Sequence, residues 1–116
     1  MADLLVDTDV FVDHLRGHRA FVPGRNRIFF STITRAELFA GRGVEEEPIR
    51  VLLSPFGEVD VTRAIAEAGG RLRRELLISL PDALIAATAL HGEMALVTRN
   101  RRDFDQVRGL KVRSPA

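Results

Sequence analysis

The sequence predicts an α/β fold of three layers, with helices on both faces of a central parallel sheet of four to five strands. Three observations predict it. Short apolar runs of strand length, Leu4 to Val6, Ile28 to Thr32 and Met94 to Thr98, are separated by stretches with helical spacing. The runs show little polar alternation, the pattern of strands buried on both faces. The first and last of them run directly into polar residues, Asp7 and Arg99-Asn100. With 116 residues and 46% hydrophobic content, the chain is expected to be one domain spanning 1–116.

The elements follow in order. After Leu4-Leu5-Val6-Asp7 the period changes: Asp9 and Asp13 are four apart while Val10, Phe11 and Leu15 fall on another arc, so a helix starts there. Arg16-Gly17-His18-Arg19 and Pro23-Gly24-Arg25-Asn26 carry turn chemistry around a short apolar patch. His14 and His18 have a metal-ligand spacing of four, but beside Gly17 at a helix end they read as solvated. The strand from Ile28 to Thr32 is followed by Thr34-Arg35-Ala36-Glu37, which taken alone reads as a capping box, the glutamate folding back onto the cap residue. Glu45-Glu46-Glu47-Pro48 suits a helix start, where the dipole favours acids. Val59-Asp60-Val61 is a short strand candidate, and Thr62 caps a helix through Ala64, Ile65, Ala68, Leu72 and Leu76 that tolerates Gly69-Gly70. Arg71, Arg73 and Arg74 lie on and beside its solvated side. Pro81 fits the first turn of a nearly all-apolar helix from Leu80 to Leu90, which places Asp82 at the start of a core helix. Leu110 to Arg113 is a last edge strand.

Composition narrows the chemistry. No cysteine occurs, which excludes disulfides, thiolate metal sites and a cysteine nucleophile. The formal charge of +1 identifies no partner, and Lys111 is the sole lysine among seventeen basic residues. The start lacks a basic segment and no apolar run approaches membrane-spanning length, so no membrane association and a cytoplasmic location are expected.

The parallel topology decides where the acids go. Asp7 and Asn100 follow strands, Glu37 lies near the start of the helix after the second strand, and Asp82 opens a helix that returns before the next strand. All four fall on the rim at the carboxyl ends of the strands, where open α/β sheets bind ligands. Two carboxylates about 5 Å apart repel by roughly 3 kcal/mol at an effective dielectric near 20, so a fold that collects several needs a cation. Oxygen donors without histidine or cysteine select Mg²⁺ or Mn²⁺ rather than Zn²⁺. The chemistry implied is metal-dependent phosphodiester hydrolysis.

Four motifs in this order, Leu-Leu-Val-Asp-Thr-Asp-Val-Phe-Val-Asp, Ser-Thr-Ile-Thr-Arg-Ala-Glu-Leu, Leu-Pro-Asp-Ala-Leu-Ile-Ala-Ala-Thr-Ala-Leu and Leu-Val-Thr-Arg-Asn-Arg-Arg-Asp-Phe, resemble the PIN-domain ribonucleases, and within them the VapC-type toxins of toxin–antitoxin pairs. The resemblance implies that Asp7, Glu37 and Asp82 bind metal, and that the protein is a homodimer cleaving RNA with Mg²⁺ under the control of a VapB-type antitoxin. It also marks a departure. Many members carry Asp where this chain has Asn100, which keeps an oxygen ligand and loses a charge; Asn100, as ligand or water-positioner, and Asp103, unless it is a surface turn residue, are the candidates for that fourth position. Thr8 and Thr98 carry hydroxyls able to orient water or to stabilise turns. Arg99, Arg101 and Arg102 beside the rim are the candidate RNA phosphate contacts.

Other readings fare less well. A haloacid-dehalogenase-type phosphatase shares the Asp-Thr-Asp start but needs a downstream lysine, and Lys111 leaves too little chain. A phospho-receiver domain would have to use Asp60, in a segment of poor strand character. A catalytically silent PIN-fold module that binds RNA or a partner remains the alternative, though binding alone does not require three mutually repelling acids.

Overall fold

The structure is a computed structural model and describes residues 1–115. Among these residues, β1 (Asp3–Val6), β2 (Arg27–Ser31), β3 (Gly57–Val59), β4 (Ala95–Val97) and β5 (Val112–Arg113) form one sheet in the order β3-β2-β1-β4-β5. Every neighbouring pair is parallel. The helices are α1 (Thr8–Leu15), α2 (Thr32–Ala40), α3 (Glu46–Leu53), α4 (Arg63–Glu75), α5 (Leu80–His91) and α6 (Arg101–Phe104).

The period of two splits the apolar residues of each strand between two cores. Leu4, Val6, Ile28 and Phe30 pack on one face against Val10, Phe11, Leu38, Ile49 and Leu53 of α1, α2 and α3. Leu5 and Leu96 face the other way, against Ala83, Ile85, Ala86 and Ala89 of α5 and Phe104 of α6. Each fully buried aliphatic or aromatic side chain contributes roughly 1.5–3 kcal/mol relative to exposure, which fixes the register of the central strands. α4 lies along α5, and Gly69 makes that approach possible: a Cβ there would stand 2.6 Å from Leu84 Cδ2. No helix among the described residues is long and apolar enough to cross a membrane.

Several boundaries differ from the sequence pattern. β2 runs from Arg27 to Ser31, and the Ser31 hydroxyl accepts a hydrogen bond from Ile33 N at 3.0 Å. That cap starts α2 at Thr32, so Thr34 lies inside the helix, fully buried, and Thr34 and Glu37 do not form a capping box. A hydroxyl at the strand end was already in place to cap the helix, and tertiary contacts took Thr34 and Glu37. β3 falls at Gly57–Val59 rather than Val59 to Val61, since Gly57 allows the edge strand to lie under the Phe29 ring.

β1 is the middle strand. The chain leaves it for β2 and β3 on one side, then crosses back to β4 and β5 on the other. The connections after β1 and β4 therefore diverge at the carboxyl edge, and a crevice opens between them.

Candidate active site

Asp7 sits at the mouth of that crevice. Its N–H donates to Val97 O at 2.9 Å, so the chain is still tied to β4 as it leaves the sheet. Its backbone is extended, and one carboxylate oxygen accepts from Thr8 N at 2.8 Å as the N-cap of α1. The other accepts from the Thr98 hydroxyl at 2.7 Å. Thr98 is itself fully buried, and its oxygen accepts from Asn100 N at 3.0 Å. Burial and then the charge on Asp9 push the Asp7 carboxyl up to about 7, with Asp82 adding to the rise and the bonds from Thr98 and Thr8 opposing it.

Glu37, Asp82 and Asn100 arrive from three other segments. Glu37 projects from α2 with Oε1 accepting from the Thr8 hydroxyl at 2.7 Å, and that hydroxyl lies 3.0 Å from the Thr34 hydroxyl. Asp82 lies in the first turn of α5, where Ser79 caps the helix by accepting from Asp82 N at 3.3 Å. Burial raises the Asp82 carboxyl, a bond from Ser79 opposes the rise, and the charges of Glu37, Asp103 and Asp9 add to it. Asn100 precedes α6 without capping it; its amide donates to Asp103 at 2.9 Å.

Asp9 belongs to the same group, though the sequence pattern left it on an ordinary helix face. It accepts from Arg99 N at 3.2 Å and lies 3.3 Å from the Thr98 hydroxyl, and burial raises its carboxyl. Its one local signal was an acid two residues beyond Asp7, in the first helical turn at the same edge. Asp7, Thr8, Asp9, Asp13, Glu37, Asp82 and Asn100, with Val12 and Arg16, line one open pocket of about 430 Å³. Asp103 is not in its lining, although its charge acts on Asp82. The hydroxyls of Thr8 and Thr98 are spent on Glu37 and Asp7, so their geometry orients carboxylates.

The basic residues beside the rim differ in what they meet. The Arg99 side chain, 24% exposed, places its Nε against Asp13 Oδ2. Arg101 pairs with Asp105 at 3.8 Å, and Arg102 is exposed with no ion pair among the described residues. Neither His14 nor His18 lines the acid pocket: His14 Nδ1 accepts from Phe21 N at 2.9 Å, and His18 meets Asp13 at its margin, 4.0 Å away.

The donor set fits a hard cation. Every group able to ligate in the pocket offers oxygen, and Asp7, Asp9, Glu37 and Asp82 have no ion-pair partner among the described residues. As they stand, no three acidic or imidazole groups among the described residues are close enough together to hold one ion.

Comparison with known proteins agrees with this architecture. The family model described as PIN domain matches residues 4–110. Ribonuclease VapC19 of Mycobacterium tuberculosis is 38% identical over 115 aligned residues, covering 86% of this chain and 90% of that protein. A toxin–antitoxin complex from Klebsiella pneumoniae contains a chain 34% identical, with a TM-score of 0.77 and coverage of 97% of this chain and 98% of that one. VapBC2 from Rickettsia felis, bound to a DNA fragment from its promoter, has the same fold at 23% identity, with a TM-score of 0.83 and coverage of 98% and 99%. Fold, matched span and shared identity together place the chain in the PIN-domain family, among the VapC-type proteins.

Proposed function

We propose that the protein is a Mg²⁺-dependent endoribonuclease, the toxin of a type II toxin–antitoxin pair, hydrolysing phosphodiester bonds in single-stranded RNA. The observation that carries this reading is the convergence, at the β1/β4 crevice, of acids from three separate segments with no cation among the described residues to pair them. The names of the relatives add a ribonuclease and a toxin–antitoxin complex to the same fold.

In this reading Asp7, Glu37 and Asp82 hold Mg²⁺, or Mn²⁺ in its place, with Asn100 or Asp103 completing the fourth position. The bound ion would neutralise charge on the phosphodiester and lower the pKa of a water for in-line attack. The protein's part is orientation. Thr98 and Thr8 N fix both oxygens of Asp7, and the Thr8 hydroxyl fixes one oxygen of Glu37. Buried Thr98 also joins Asp7 to the turn that carries Asn100, which ties the two rims of the crevice to each other. Arg101 and Arg102 reach backbone phosphates, which position the strand without reading its sequence. Arg99 holds Asp13 and Asp9 in place. A homodimer, a VapB-type antitoxin and a cytoplasmic location complete the proposal.

Purified protein incubated with total cellular RNA and Mg²⁺ tests it. Discrete fragments that disappear with EDTA are expected. A folded, inhibitor-free sample that leaves RNA intact would instead support the silent PIN-fold module that binds RNA or a partner.

A further inference from the structure

The acid pocket has a difficulty that its own acids create. An RNA strand is a polyanion, and it must enter a crevice lined by five carboxylates. Among the residues that line the pocket, one side chain is basic, Arg16. We propose that Arg16 binds a backbone phosphate of the RNA strand as it crosses the acid pocket, a role that rests on the ribonuclease reading above.

Three observations carry the assignment. Arg16 is exposed and makes no ion pair among the described residues, although Asp13 lies one turn back on the same helix. Asp13 faces Arg99 instead, so the acid nearest Arg16 on its own helix is already engaged. The Arg16 backbone, in contrast, is fixed. It is the C-cap of α1, followed by Gly17 at φ 73°, with Gly17 N donating to His14 O at 3.1 Å and His18 N to Asp13 O at 3.0 Å. These two bonds form a Schellman motif, which requires the left-handed conformation that glycine adopts without strain. A rooted Cα with a free guanidinium is suited to two parallel hydrogen bonds to phosphate.

Its position also gives the strand a path. Arg16, Val12 and Glu37 line both the acid pocket and an adjoining groove that includes Leu15, Leu38 and Ile49. Arg16 therefore stands where the two meet, and a phosphate held there lies between the acids and the apolar wall.

The competing role is purely structural, a cation at the C-terminal end of α1. Salt dependence separates the two. Binding of a fluorescent single-stranded oligoribonucleotide is measured by anisotropy across a salt series, in an Asp7→Asn background so that the strand is not cut. Arg16→Ala should weaken binding about tenfold and lower the slope of log K against log salt by about 0.7, one single-strand phosphate contact. Arg16→Lys should keep most of the slope while losing part of the affinity. Arg27→Ala, at the opposite end of the sheet where Arg27 pairs with Asp3, should change neither. An unchanged slope in Arg16→Ala overturns the assignment, whether or not affinity falls. Wild-type cleavage of RNA is assayed in parallel: cleavage with an unchanged slope refutes the Arg16 role alone, whereas no cleavage and no binding refutes the ribonuclease reading and this role with it.

Discussion

Asp7→Asn should make the metal-free protein more stable above neutral pH, although it removes a residue from the centre of the site. Asp7 is 5% exposed, and its carboxyl is raised from 3.8 to about 7. Between those values the folded state keeps a proton that the unfolded state has released, so stability falls as pH rises through the window from about 4 to 7 and stays low above it. A gap of about three units corresponds to about 4 kcal/mol. The Asn amide fits the same partners: its oxygen accepts from Thr8 N, and its NH₂ donates to Thr98, whose hydroxyl turns toward Asp9 at 3.3 Å. Allowing for the weaker bonds of a neutral group, a net gain of about 2 kcal/mol at pH 8 remains, roughly 8 °C in Tm for a domain of this size. Thermal unfolding followed by circular dichroism, with EDTA, at pH 5 and pH 8, measures it. The two proteins should unfold together at pH 5 and separate at pH 8. Equal or lower stability of the variant at pH 8 would refute the claim that this carboxylate is held against burial and like charge.

Two other perturbations have defined outcomes. Thr98→Val removes the bond that opposes the rise in the Asp7 carboxyl, and a hydrogen bond to a charged acceptor is worth roughly 1.5–3 kcal/mol, or one to two pKa units. Mn²⁺ affinity at pH 7, read by titration calorimetry, should drop about tenfold or more and recover toward pH 9; a loss independent of pH would contradict this. Gly69→Ala places a methyl 2.6 Å from Leu84 Cδ2 and 3.2 Å from Leu84 Cα, where the backbone cannot yield. Urea unfolding should show a loss of about 1–3 kcal/mol, and no loss would mean that α4 and α5 separate freely.

Most of the fold was legible because burial on both faces leaves a local signature: Leu4 to Val6 and the run from Leu80 to Leu90 mark a central strand and a core helix without outside information. Asp7 and Asp82 were legible for the same reason, as acids at the ends of apolar runs. Glu37 was ambiguous, since Thr-x-x-Glu fits a cap; Ser31 supplies that cap instead, and Thr8, 29 residues away, claims the glutamate. Asp9 was hidden altogether. On its own helix it looks like a solvated acid, and only the turn after β4, about 90 residues on, covers it with Thr98 and Arg99 N. The pairing of Arg99 with Asp13 is equally non-local, so a basic residue that read as free beside the rim proves to be engaged. Periodicity reports which face of an element is buried; it does not report which distant polar group arrives there.

The central claim is that acids from separate segments act as one metal-dependent site, and a double-mutant cycle on RNA cleavage tests it most directly. Rates for Asp7→Asn, Glu37→Gln and Asp82→Asn, singly and in pairs, would be measured with Mg²⁺ on one single-stranded substrate. Each single substitution should lower the rate by at least about a hundredfold, and each pair should lose little more than its worse member, because groups serving one ion fail together. Losses that multiply across the pairs, or cleavage that persists in EDTA, would contradict the account.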